Sequence, residues 1–165
     1  MKRIDHMAVA EEAVARIKDG AFLTVKAGEA LNTMAIGWAT FGFVWRNPIL
    51  MVAVRNSRHT FGIIEKAADF TVSVPLKGMG DAIMCCGTKS GRDYDKFKEC
   101  NLELKEAQKV GSPIIDTPGL HFECKIVLKA AMDPAHLAEE YEELYPKKDY
   151  HTLYFGEIQD CYQIE

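Results

Sequence analysis

The stretch from Leu31 to Thr60 constrains this chain more than any other. It holds two apolar runs joined by a Pro-containing turn at Arg46-Asn47-Pro48. The second run, Ile49 to Val54, is apolar at every position and has the length of one buried strand. It ends in Arg55-Asn56-Ser57-Arg58-His59-Thr60, so guanidiniums and hydroxyls gather at the mouth of a buried strand. A helical pattern begins there, with Phe61, Ile63, Ile64, Ala67 and Ala68 apolar and Thr60 or Ser57 as its N-cap. Charge-assisted donors beside free N–H groups describe an anion site, and a terminal phosphate is the guest that fits it.

The remaining composition narrows the classes. A chain of 165 residues is one domain, spanning residues 1–165, with enough length for a real core. A net charge of -4 carries no general nucleic-acid footprint. No apolar run approaches the roughly 20 residues of a membrane helix, so no membrane partner is expected. The first residues, Met1 to His6, lack the apolar core of a secretory signal. The five cysteines show no C-x-x-C spacing. They are therefore expected as reduced thiols in a cytoplasmic protein, with adjacent Cys85 and Cys86 as inert packing.

Apolar periodicity supplies the elements. Residues 5–19 read as an amphipathic helix closed by Gly20. Strands are expected over Ala21–Lys26, Phe70–Pro75, Gly119–Ala131 and His151–Gln159. Asn32 to Phe43 is a strand unusually rich in small residues. Two readings of it stand: a bulged strand at a barrel corner, or a strand whose backbone a flat ligand approaches closely. Short helices are expected over Asp81–Cys86 and from Asp95, on either side of a polar loop, Gly87 to Asp93. Pro134 to Tyr145 reads as a short acidic helix or insertion. About six strands, with helices falling between only some of them, imply a mainly β α+β fold: a small barrel decorated with short helices.

The motifs N-T-M-A-I-G-W, W-R-N-P, V-R-N-S-R-H-T, F-T-V-S-V-P, C-G-T-K-S-G-R-D-Y-D-K-F, F-E-C-K and H-T-L-Y-F-G-E follow one another in this chain. In that order, over roughly residues 20–160, they resemble the flavin reductase-like family and within it the flavoredoxin-type branch. The resemblance implies a Greek-key split β-barrel and a homodimer binding FMN. It implies that Asn32, Thr33, Met34, Ala35 and Ile36 lie along the flavin ring. Ala35 stands where the family usually has a hydroxyl residue, so backbone groups there would serve the ring. Arg55, Asn56, Ser57, Arg58 and Thr60 would hold the FMN phosphate, and Ser90 and Lys96 would approach the cofactor from the later loop.

The same resemblance implies an oxidoreductase. NADH or NADPH would supply electrons, and free flavin, a ferric chelate or a redox protein would accept them. The alternative is an electron carrier with no nicotinamide turnover of its own. No catalytic acid or base and no metal site is expected, because the flavin carries the chemistry. Trp38 and Trp45 read as core or dimer contacts rather than flavin-stacking residues.

Overall fold

The computed structural model describes residues 1–165. The chain runs β1 (Lys2–Arg3), α1 (His6–Ile17), β2 (Ala21–Ala27), β3 (Ala30–Ile36), β4 (Ala39–Val44), β5 (Asn47–Arg55), α2 (His59–Ile64) and β6 (Asp69–Pro75). It continues through α3 (Gly80–Thr88), α4 (Lys96–Glu99), β7 (Leu104–Lys105), β8 (Ile114–Ile115), β9 (Gly119–Ala131), two 3-10 turns over Pro134–His136 and Glu139–Leu144, and β10 (His151–Ile164).

The main sheet has the order β3-β2-β6-β9-β10-β5-β4, with every neighbour antiparallel and β1 pairing outside β10. β3 and β4 lie at opposite ends of this order, yet only Gly37 and Trp38 join them. The connection from Ile36 to Ala39 can span at most about 11 Å. The two edges must therefore come together, and the sheet rolls into a barrel that no hydrogen-bonded pair closes. This is the split barrel that the family resemblance implies.

The core fills the barrel. Leu23, Val25, Val52, Val54, Phe70, Val72, Phe122 and Tyr154 are all fully buried within one cluster. At Gly156, β10 passes over Phe70 and Cys124 so closely that a Cβ there would collide with both. A register shift of β10 against β9 falls at the same point, which bends the longest pair of strands around the core.

Several expectations change. The small-residue stretch is two strands, not one, and it breaks at Gly37-Trp38. The hairpin turn is Trp45-Arg46, both at positive φ (53° and 64°), while Asn47-Pro48 opens β5. A two-residue loop of this left-handed kind matches the twist of the flanking strands. Trp38 and Trp45 are exposed, which removes the core half of their expected role and leaves the dimer contact. Finally, Cys85 and Cys100 form a disulfide, so the reduced-thiol reading holds only for Cys86, Cys124 and Cys161. The barrel brings α3 against α4, and no local spacing announces that.

Candidate functional site

Two surfaces face each other across a cleft. One is the sheet edge β3 with the β5–α2 corner. The other is the segment from the end of α3 to the start of α4. The cleft has a volume of about 160 Å³ and continues past Met34, Ala35 and Arg58 into a second space of about 180 Å³, reaching Trp38 and His151.

β3 supplies the first wall because it is a sheet edge. It pairs only with β2, so its outer side presents backbone N–H and C=O groups with no strand partner. Asn32, Met34 and Ala35 line the cleft. Thr33 points the other way, as strand alternation requires. Its hydroxyl lies buried, donating to the Leu23 carbonyl (3.2 Å) and hydrogen-bonded to Thr24 (3.1 Å). Asn32 donates its amide to the Thr60 hydroxyl (2.8 Å), both buried. That bond fixes the β5–α2 corner to β3.

At this corner the expected residues separate. Arg58 and Ser57 line the cleft. The Arg55 guanidinium turns aside: it donates to the carbonyls of Asp149 (3.0 Å) and Leu144 (3.1 Å) and lies over the Tyr145 ring. Arg55 borders only the second space, on the Trp38 side. Asn56 likewise accepts from the Thr152 hydroxyl (2.9 Å) and lies outside both spaces. Ser57 is held by Asp149, which accepts from both its hydroxyl and its backbone N–H.

The second wall brings residues that the motifs from Leu31 to Thr60 do not reveal. Cys86 to Arg92 and Lys96 all border the cleft. Lys96 is almost fully buried, and its ammonium donates to the Cys86 carbonyl (2.8 Å). Burial lowers its pKa, with Cys86 opposing and Arg58 adding to the shift. Arg92 donates to the Ser57 carbonyl (2.8 Å), a direct tie between the walls. Ser90 accepts from the Arg92 backbone N–H (3.2 Å). At Gly91 the walls touch: a Cβ there would collide with the Asn32 side chain and come within 2.8 Å of the His59 ring. His59 also lines the cleft, its pKa lowered by burial and then by Arg92 and Lys96.

The charge pattern is one-sided. Arg58, Lys89, Arg92 and Lys96 line the first space, and no aspartate or glutamate lines either space. Only Lys89 of these is paired, with Glu99 at 2.7 Å. A chain of net charge -4 thus gathers unpaired cations in one pocket, an arrangement that favours an anionic guest. In the second space His151 stacks near Trp38 and bonds Tyr145 through Nδ1 (2.8 Å). Burial, and after it the Arg55 charge, push its pKa down to about 4, so the imidazole is neutral at physiological pH.

A split barrel with a cation-lined cleft along one open strand edge is the arrangement the chain presents, and it suits an anionic guest. The chain belongs to the flavin reductase-like domain family, whose model matches residues 19–165. A relative, an uncharacterized protein of Archaeoglobus fulgidus, is 28% identical over 137 residues, covering 83% of this chain and 68% of the relative. The flavoredoxin of Methanosarcina acetivorans is similar in structure, with a TM-score of 0.68 and 25% identity over 88% of this chain and 68% of the other. An FMN-binding protein of Thermus thermophilus gives a TM-score of 0.69 at 22% identity, covering 87% and 69%. The chain spans about two thirds of the length of each.

Proposed function

We propose that the cleft binds FMN and that the protein is a flavin-dependent oxidoreductase drawing electrons from NADH or NADPH. The observation that carries this reading is the pocket of unpaired cations lying against an open strand edge. The phosphate would be held by Arg58, Arg92 and Lys96, with the Ser90 hydroxyl beside them; the Ser57 hydroxyl already donates to Asp149. Three cations without a carboxylate among them suit a doubly charged group. The Met34–Ala35 backbone would meet the polar edge of the ring. This meets the absence of a hydroxyl at Ala35, because edge-strand amides and carbonyls are themselves donors and acceptors.

The chemistry FMN supplies when bound is uptake of two electrons from a nicotinamide and their delivery to free flavin, a ferric chelate or a redox protein. The chain's part is to orient the ring and exclude water. Ile36, Trp38 and Ala53 give the second space an apolar lining, and neutral His151 adds a polar group there without a competing charge. Arg55 holds the 144–149 segment in place rather than the phosphate.

Exposed Trp38, Phe43, Val44 and Trp45 support a homodimer through the β4–β5 hairpin. The likeness to flavoredoxin supports a second reading, an electron carrier that does not turn over nicotinamides itself. Visible absorbance of the FMN-loaded protein, before and after anaerobic NADH or NADPH, separates them. Bleaching by a nicotinamide supports the reductase. A flavin spectrum that neither nucleotide bleaches supports the carrier. Failure to take up FMN removes both.

A further inference from the structure

We propose that Cys85–Cys100 is a reversible thiol–disulfide exchange site whose oxidised state holds the loop wall of the cleft in its binding form. Its partner in exchange is a protein dithiol of the thioredoxin chemical class.

The argument starts from what the bond encloses. Cys85 lies in α3 and Cys100 caps α4, and the disulfide closes the chain between them, with a sequence separation of 15. More than half of the residues lining the first space lie inside this ring, namely Cys86 to Arg92 and Lys96. No strand pairing holds the ring, since its regular structure is the last part of α3 and the four residues of α4. The polar ties of its cations are few: Arg92 to the Ser57 carbonyl, Lys96 to the Cys86 carbonyl, and the Lys89–Glu99 ion pair, while its two ends, Cys86 and Phe97, pack in an apolar cluster with Phe22, Leu102 and Ile115. The ion pair joins side chains that are about two-fifths exposed, so it adds little order. The disulfide joins those two packed ends covalently, and so adds a constraint on the segment between them that carries Arg92 and Lys96.

The two cysteines are unequally exposed. Cys100 is only 7% exposed, whereas Cys85 is half-buried near the surface. An incoming thiolate reaches the Cys85 sulfur. The S–S bond breaks, a mixed disulfide forms on Cys85, and Cys100 leaves as a thiolate that takes up a proton. The second thiol of the dithiol then attacks its own sulfur in the mixed disulfide. Cys85 is released as a thiol and the partner keeps a disulfide. Two electrons have passed from the dithiol to the cysteine pair. The neighbouring Cys86 thiol is buried, and burial raises its pKa, so it remains a protonated bystander.

The test has one arm that needs no ligand and one that rests on the FMN reading. Alkylation in denaturant, where buried thiols are exposed, should label three of the five cysteines without reductant and all five after dithiothreitol. Trypsin should cut at Lys89 and Arg92 at least about tenfold faster after reduction, because the ring then opens locally. FMN titrated into the reduced, anaerobically desalted protein should bind about tenfold more weakly, the scale expected when side chains must be ordered on binding. The Cys85→Ser/Cys100→Ser variant should behave like the reduced wild type and ignore dithiothreitol, with circular dichroism showing that both are folded. Five alkylations without reductant, or equal trypsin rates in the two states, overturn the proposal. So does an FMN affinity that reduction leaves unchanged. If FMN binds neither state, the cofactor reading fails, while the trypsin comparison still decides whether the disulfide constrains the ring.

Discussion

The two walls of the cleft are built on different principles. The strand wall is part of the barrel: β3 is paired with β2 along its length, and Asn32 is pinned to Thr60 beneath the surface. Its position is set by the core, so it is rigid for the same reason the fold is stable. The loop wall carries three of the four cations of the first space, yet it rests on a small separate apolar cluster around Cys86 and Phe97, one disulfide and a few polar ties. Shape comes from the sheet, and most of the charge comes from the loop. A ligand with both a flat ring and a phosphate needs the two walls together, and disturbing either should fail in a recognisably different way.

The largest separation of the walls should follow reduction. Opening a loop of this size removes up to about 3 kcal/mol of stability by the loop-entropy argument, and denaturant titration with and without dithiothreitol measures it. A smaller effect is expected from Gly91→Ala, which pushes the walls apart at Asn32 and His59 at a cost of about 2 kcal/mol. The measurement is FMN affinity beside the denaturation midpoint, and affinity should fall more than stability does.

Acid should find the barrel rather than the loop. His121, bonded to Ser73 and Thr117, and His151 are both kept neutral by burial, their pKa values lowered from 6.5 to about 4. The native state then binds fewer protons than the unfolded chain between those values. The stability is present above pH 6.5 and is lost as pH falls toward 4. Between pH 7 and 5 each histidine should account for up to about 2 kcal/mol. Denaturation at both pH values, with His121→Gln removing one contribution, checks this.

At the corner between the walls, Arg58→Ala should weaken FMN about thirtyfold, the worth of one charge-assisted hydrogen bond, and leave riboflavin binding unchanged. Arg55→Ala should cost about 1 kcal/mol of stability through its two carbonyl contacts and leave the preference for FMN over riboflavin intact. Binding titrations of both flavins distinguish the two arginines.

The strand wall was the more legible of the two, for physical reasons. Alternation marked β9 from Gly119 to Ala131 at its observed bounds, and the continuous run Ile49–Val54 marked the centre of β5. Such patterns are local, because a strand's burial is written along its own length. The break at Gly37-Trp38 was not legible, since small residues leave no period to interrupt. Arg55 and Arg58 look equivalent in sequence, and only the carbonyls of Leu144 and Asp149 set them apart. Those partners lie about ninety positions further along the chain. The motif Ser90 to Phe97 pointed to a segment that lines the cleft through Ser90 and Lys96, but gave Arg92 no role. The Cys85–Cys100 bond had no local signal at all, because it depends on how α3 meets α4.

The most direct test of the account is a paired titration of the protein with FMN and with riboflavin, which share the ring and differ by the phosphate. The account predicts that FMN binds at least about a hundredfold more tightly, as two or more charge-assisted contacts to the phosphate require. Equal affinity for the two flavins would contradict it, leaving the cation-lined pocket without the phosphate it was assigned.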